Sequence, residues 1–502
     1  MSFFKSKTFN LPKATPTIRT ERVPDSKKPA PLPSKVTSAT SSHARRSEAS
    51  PSRTAYSTAR SSPATPPSDG HGSSRLKPGK RKASRQKSPV QQHLSSDSED
   101  EESVEAPAES YKRQKASRKI DMTRQLRSKQ AFSEADGGVF EMIHAADVSS
   151  VSKKSKLATI VPTENVTVEL KYPSSSQRER YNLVFGNDNI NPTEEILEIA
   201  KIVADVYLAE EQKDAFCNPT SGLIRQLEKA KNLLSSTRDI TNKVLLDGFK
   251  KAVENYNLTI EGLLEEGALA TNLDAMHHLP LRMVHYILQQ VYDRAVSPKV
   301  ELLKHYENGT DNIYGELEKP FISKVLAKVG LTSDQVFVDL GSGVGNVVLQ
   351  AALEFGCESW GCEMMENACK LAEAQEKEFA ARCRLWGIQT GKVQLERGDF
   401  LVNQEILKTI KRADVILVNN QAFTPQLNQN LIHLFLDLRD GCKIISLKQF
   451  GVDQISSRKA NDPANVLDYT ELEYFSGSVS WTNANGHYFI AEKDSKRLEG
   501  FA

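Results

Sequence analysis

The chain has 502 residues, enough for one large or two ordinary domains plus tails. Its 66 Lys and Arg against 64 Asp and Glu leave a net charge of +2, but the charges are segregated, so the balance alone selects no partner. No run of about 18 apolar residues occurs, so no transmembrane helix and no membrane partner are expected; Met1-Ser-Phe-Phe-Lys-Ser-Lys lacks the apolar core of a secretory signal. Six cysteines without a Cys-x-x-Cys pair read as free thiols in a reducing compartment, and no metal is expected.

Residues 1–155 are rich in Ser, Pro, Thr, Lys and Arg and poor in aromatics. Such a stretch buries too little apolar surface to offset its ordering entropy, which predicts a disordered tail. Its charges come in blocks. Lys77-Pro-Gly-Lys80-Arg81-Lys82 and Arg85-Gln-Lys87 precede the acidic run Ser95-Ser-Asp-Ser-Glu-Asp-Glu-Glu102, and Lys112 to Lys129 is basic again, with Arg124 and Arg127 among its charges. Flexible basic blocks suit nuclear import and DNA phosphate contacts, against the plainer reading of a solubilising tail.

Residues 156–310 form the next predicted unit. Val166, Val168, Leu170 and Tyr172 alternate with polar residues up to Pro173, the pattern of a half-buried strand. Asn191-Pro192-Thr-Glu194 supplies a helix cap, a proline at the first helical position and a Glu three residues in. Helical periodicity follows from there and over 223–234, 239–256 and 281–295. His277, His278 and His285 lack partners at zinc-like spacing and read as capping or surface residues.

In residues 311–502 strands and helices alternate. Strands are predicted at 336–340, 358–363, 393–397, 413–419 and 442–447, helices at 346–355, 366–386, 404–411 and 426–438, and an antiparallel pair at 468–481 and 486–491. This is the pattern of an α/β doubly wound sheet, whose ligands bind beyond the carboxyl ends of the strands. Those ends carry Asp339-Leu-Gly341-Ser-Gly343-Val-Gly345-Asn346, Glu363, Asp399 and Asn419. The glycines let backbone approach a ligand closely. No Gly-Lys-Ser/Thr follows them, so the loop is not a phosphate P-loop. An ordinary tight turn or a dinucleotide loop is the competing reading. An acidic residue about 20 positions after such a loop suits ribose hydroxyls. Asp399 and Phe400 offer a carboxylate for an adenine amino group and a ring for its face.

The glycine loop resembles that of class I S-adenosylmethionine (SAM) methyltransferases. Val300-Glu-Leu-Leu-Lys-His-Tyr306-Glu, Ile313-Tyr314-Gly315-Glu316, Val336–Asn346, Glu396-Arg-Gly-Asp-Phe-Leu401, Val418-Asn419-Asn420 and Ser478-Val-Ser-Trp481-Thr482 occur in that order. Together they resemble the disruptor-of-telomeric-silencing family, the non-SET, lysine-79-specific methyltransferases of histone H3, and the long basic N-terminus is similar to its fungal members. The resemblance implies a Rossmann-like sheet closed by an antiparallel hairpin, preceded by a helical subdomain. It implies SAM as cofactor without a metal, the nucleosome as substrate, ubiquitylated histone as a further partner, nuclear localisation, and roles in telomeric silencing and the DNA-damage checkpoint.

Carried over by position, Tyr314, Gly315, Glu316 and Leu317 lie over the methionine end of SAM, with Glu316 facing its ammonium. Phe337, Val338, Asp339, Leu340, Gly341, Ser342, Gly343, Val344, Gly345 and Asn346 match the glycine loop and its strand, Glu363 the ribose ligand, and Asp399 with Phe400 the adenine clamp. Asn419 matches the mouth of the lysine channel, and Phe423 and Tyr488 its aromatic walls. Gln421 departs from the family, where an aromatic is frequent, and Leu317 stands where some relatives have Thr. Two other classes compete: a nucleic-acid methyltransferase, whose usual Asn/Asp-Pro-Pro-aromatic is replaced here by Asn419-Asn-Gln-Ala, and a non-enzymatic chromatin protein on a relic core.

Overall fold

The computed structural model describes residues 120–133, 140–149, 166–183, 190–236, 243–304, 315–451 and 462–499. The expectations placed on Tyr306, Tyr314, the chain before residue 120 and the boundary at 310/311 lie outside the described residues.

Strand β1 (Thr167–Leu170) pairs antiparallel with β2 (Glu179–Asn182), from Thr167 opposite Asn182 to Leu170 opposite Glu179. Val168 and Leu170 point inward and Glu169 outward, the predicted alternation, and the chain turns at Pro173. Before this pair lies one helical turn, α1 (Ala145–Val148). Helix α2 (Pro192–Val206) starts as its sequence demands: the Asn191 side chain accepts from the Glu194 N–H and Pro192 occupies the first turn. Then follow α3 (Glu210–Cys217), α4 (Leu223–Ser236), α5 (Lys243–Glu265), α6 (Ala268–Asp274) and α7 (Leu281–Ala295). Helix α3 was not expected. It has a single buried apolar anchor, Phe216, and so no period to read.

Helix α8 (Lys319–Val329) leads into β3 (Val336–Leu340), α9 (Asn346–Glu354), β4 (Glu358–Glu363), α10 (Glu366–Leu385), β5 (Val393–Arg397), α11 (Gln404–Ile410), β6 (Val415–Val418), α12 (Pro425–Phe435) and β7 (Lys443–Ser446). The hairpin β8 (Leu467–Tyr474) and β9 (Gly486–Lys493) precedes a last turn, α13 (Lys496–Glu499). The seven strands order as β5-β4-β3-β6-β7-β9-β8, with β3 to β7 parallel and the last two antiparallel. The chain order reverses between β3 and β6, so ligands are expected beyond the carboxyl ends of those central strands. This is the Rossmann-like sheet of class I SAM methyltransferases.

The central strands are apolar throughout because both faces are covered. Along β3, Val336, Val338 and Leu340 join one core with Ile416, Ile444, Leu431 and Phe435, whereas Phe337 joins the other with Phe321, Leu326, Leu417 and Ile445. A third core fuses the helical region to the sheet's helices, taking in Leu349, Leu353, Phe379 and Trp386. Trp386 is fully buried; Tyr172 meets it edge-on at 5.1 Å, and its indole N–H donates to Gln290 Oε1 over 2.9 Å.

Beside Trp386 lies a dry ion network. Glu179 Oε1 accepts from Arg294 over 2.8 Å, and its other oxygen accepts from Arg382, all three side chains being fully buried. Arg382 also donates to Glu378 and Arg294 to Glu195. Burial raises the Glu179 carboxyl's pKa, but the Arg294 and Arg382 charges outweigh that and hold it well below the ordinary range. One carboxylate thus joins β2, α7 and α10.

Part of the stretch read as a tail, residues 1–155, packs on the fold. Residues 120–133 form a strap against the sheet's helices, with Leu126 and Ala131 buried. Arg124 was grouped with the basic arm; it is buried, and its guanidinium donates to the carbonyls of Leu353 and Glu354 at the end of α9. Arg127 pairs with Asp274 over 2.8 Å. Of these two charges grouped with the basic arm, Arg124 is spent on holding the fold, because helix-end carbonyls need donors, and Arg127 is paired at the surface. Two of the three histidines are used internally: His277 bonds the Arg124 carbonyl and His285 the Ser323 hydroxyl, whereas His278 is exposed.

Candidate active site

At the end of β3 the chain turns through Gly341, Gly343 and Gly345, all with positive φ (87°, 56° and 87°), a region that disfavours side chains. The turn is pinned by Gly341 and Ser342 N–H groups donating to the Cys362 carbonyl. Glu363, at the end of β4, accepts from the Gly343 N–H (2.9 Å), the Met364 N–H (2.8 Å) and the Met365 N–H (2.7 Å). Three backbone donors fix this carboxylate beside the loop. Asp339 is buried behind it, and burial together with the Glu363 charge raises its pKa to about 8.

Asp399 is exposed, its Oδ1 accepting from the Leu401 N–H over 2.8 Å. Phe400 is buried, and its ring lies 6.4 Å from that of Phe423 at 26°. Phe423 also faces the loop: a Cβ on Gly341 would sit 3.7 Å from its ring. An apolar slot with an acidic lip thus adjoins the glycine turn.

The segment from Gly315 is held by the loop ahead of β9. Leu317 bridges Val479 antiparallel; Glu318 N–H donates to the Ser478 carbonyl, and Ser480 N–H to that of Glu316, each over 2.9 Å. Gly315 is required by contact, since a Cβ there would come within 2.6 Å of Trp481. Two sequence motifs far apart in the chain are one structural unit. The Glu316 carboxylate accepts at Oε1 from Tyr292 OH (3.2 Å) and from Asn346 Nδ2 (3.1 Å). It thereby faces the glycine loop.

Asn419, just past β6, donates its Nδ2 to the Gly315 carbonyl over 3.1 Å. A carbonyl can only accept, so this bond fixes the amide's orientation, and its Oδ1 is buried with no hydrogen-bond donor among the described residues. Next to it a cavity of about 10 Å³ is lined by Leu317, Phe321, Leu417, Ile445 and Leu447. Tyr488, on β9 next to the residue paired with the last residue of β7, is buried and edge-on to Phe321 at 5.3 Å. Phe423 and Tyr488 come from cores on opposite faces of the sheet. Gln421 is exposed. Asn420, named only as part of a motif, is structural: it accepts from the Leu447 and Lys448 N–H groups and ties β6 to β7.

A family model described as "Histone methylation protein DOT1" matches residues 292–492. The chain is 53% identical over 377 residues to the "Histone-lysine N-methyltransferase, H3 lysine-79 specific" of Gibberella zeae, covering 74% of each. To the protein of the same name from Aspergillus fumigatus it is 51% identical over 391 residues, covering 76% of this chain and 75% of that one. The chain belongs to the H3 lysine-79-specific methyltransferase family. Matched solved structures include an RNA methyltransferase from Salinibacter ruber in complex with S-adenosyl-L-homocysteine, 21% identical over 36% of this chain, with a TM-score of 0.25; the fold rests on the strand order above.

As a member of the lysine-79-specific family the chain is a SAM-dependent methyltransferase, and the described residues fit that cofactor. A glycine turn that excludes side chains, an anchored carboxylate at Glu363 and an apolar slot at Phe400 stand at successive strand ends. Among the described residues no group of three or more His, Cys, Asp or Glu is placed to hold a metal. Sequence reading missed Tyr292, which reaches the site from the last turn of α7. It sits in an amphipathic helical pattern that reads as packing alone.

Proposed function

We propose that the chain methylates lysine 79 of histone H3 in the nucleosome core, as the names of its relatives state for those proteins. Glu316 takes the cofactor's ammonium, the turn Gly341–Gly345 lies under its methionine part, Glu363 holds the ribose, and Asp399 with Phe400 the adenine. Bound SAM supplies an electrophilic methyl group on a sulfonium. The protein's task is to deliver a lysine amine with its lone pair free.

A solvated lysine titrates near pH ~10.4, so neutralising it at pH 7 costs roughly 4–5 kcal/mol. Desolvation lowers a buried amine's pKa by up to about 3–5 units, which is enough. Leu317, Leu447, Phe423 and Tyr488 provide the apolar surroundings. Asn419 accepts an amine N–H at Oδ1, which orients the lone pair without the negative charge that would favour the ammonium form.

The observation that carries the reading is the buried Asn419 Oδ1, an acceptor with no donor among the described residues, one position past Val418, which lines the cavity. Such an atom is costly to leave unpaired unless a ligand meets it. Asn419→Ala is expected to keep SAM binding, measured by calorimetry, while methyl transfer to nucleosomes falls about 10²-fold. Unchanged turnover would remove Asn419 from the mechanism. The same reading extends to nuclear localisation, to DNA contacts by the basic blocks before residue 120, to ubiquitylated histone as a partner, and to silencing and checkpoint roles.

A further inference from the structure

Gln375 lies on α10, buried to 1% exposure, one helix away from the proposed cofactor site. Its Nε2 donates to two acceptors, the Val344 carbonyl within the glycine turn (2.7 Å) and Asn346 Oδ1 (2.9 Å). Its Oε1 is buried with no hydrogen-bond donor among the described residues. A methionine or leucine would fill the same space without orphaning an oxygen, so packing does not explain a glutamine here.

The chemistry of the partners fixes the direction of every bond. The Val344 carbonyl can only accept, so Gln375 presents its amide nitrogen. That nitrogen then meets the oxygen of Asn346 and turns the Asn346 amide so that Nδ2 faces Glu316 Oε1, 3.1 Å away. Tyr292 OH donates to the same oxygen over 3.2 Å. A run of aligned donors thus leads from the helix interior to the carboxylate. Without Gln375 the Asn346 oxygen loses its donor, and Glu316 alone is left to hold the amide in the flip that presents Nδ2.

We infer that Gln375 is a positioning residue for SAM binding: it polarises and orients Asn346, which orients Glu316 towards the cofactor's ammonium. This rests on the reading of Glu316 given under Proposed function, to which Asn346 is bonded. Gln375 touches no substrate, so its effect belongs in SAM affinity and not in the chemical step.

The test uses the full chain and nucleosomes, with SAM dissociation measured by calorimetry and initial rates measured against SAM concentration. Gln375→Met should raise the SAM Kd and KM roughly fivefold, leave kcat within about twofold, and leave the melting temperature unchanged or higher. In an Asn346→Ala background, itself weakened for SAM, Gln375→Met should add no further loss. A lowered melting temperature with Kd unchanged, or equal losses in both backgrounds, would reduce Gln375 to a packing residue and overturn the inference. If Asn346→Ala alone leaves SAM affinity intact, the reading of Glu316 and Asn346 fails instead. Normal affinity in Gln375→Met beside a weakened Asn346→Ala overturns only the role of Gln375.

Discussion

Asn419 donates to the carbonyl of Gly315 over 3.1 Å, so one amide ties the end of β6 to the segment that carries Glu316 and keeps its oxygen buried. The two jobs need opposite polarities from one side chain, which a carboxamide supplies and a carboxylate does not. Asn419→Asp separates them. An aspartate cannot donate to Gly315 when ionised, and its charge would hold an incoming lysine as ammonium. The rate at pH 7.5 should fall by roughly 10²-fold, and the pH–rate profile should move to higher pH than that of Asn419→Ala. Identical profiles for the two variants would show that the amine's protonation is not governed at this position.

The ion network predicts a large stability effect far from the site. Glu179→Gln leaves Arg294 and Arg382 buried without their shared carboxylate. Loss of one partner from a buried pair costs about 3–5 kcal/mol. The Glu179 pKa is lowered from 4.5 in the fold, so its contribution is complete above that value and fades as pH falls below it. Denaturant melts should show a wide gap between wild type and variant at pH 7 that narrows towards pH 3. A gap that stays constant would mean the carboxylate's charge is not what stabilises.

Asp339 has the opposite sign. Its pKa is raised from 3.8 to about 8 by burial and by Glu363, so the ligand-free fold binds a proton that the unfolded chain has released. Stability is lost as pH rises through that window, by up to about 1.4 kcal/mol per pH unit. Asp339→Asn abolishes the slope. The variant should gain on the wild type in melting temperature as pH goes from 5 to 8, with SAM absent. Parallel melting curves across that range would contradict a protonated Asp339.

The strap at residues 120–133 divides two truncations that a tail reading would treat alike. Deleting residues 1–115 should weaken nucleosome binding and flatten its salt dependence while SAM affinity is kept. Deleting residues 1–130 also removes Leu126 and the Arg124 contacts to α9, and should lower the melting temperature. Equal nucleosome affinity for the first truncation and the full chain would refute the DNA-contacting role. Equal melting temperatures for the two truncations would deny the strap its part in the fold.

The sheet was legible because strands covered on both faces read as unbroken apolar runs, such as Val415-Ile-Leu-Val418 between turn signals. With the strands placed, topology alone put Asp339, Glu363, Asp399 and Asn419 at one edge. The strap and β2 were not legible for a common reason. Each buries a charged residue, Arg124 bonded to helix-end carbonyls and Glu179 to Arg294 and Arg382, partners more than a hundred residues away that no local pattern contains. Tyr292 and Gln375 escaped for the same cause. Each reads as part of a helix, and only the folded chain brings them to Glu316 and Asn346.

The central claim is a methyl transfer from SAM to histone H3 that depends on the glycine turn and on an intact nucleosome. Radiolabelled SAM should be supplied with reconstituted nucleosomes and, separately, with free histones, followed by mapping of the labelled residue. Label at lysine 79 of H3 in nucleosomes only, abolished by Gly343→Arg in the turn where Gly343 has φ 56°, is the result expected. Label on DNA, or label on free histones as strong as on nucleosomes, would contradict it.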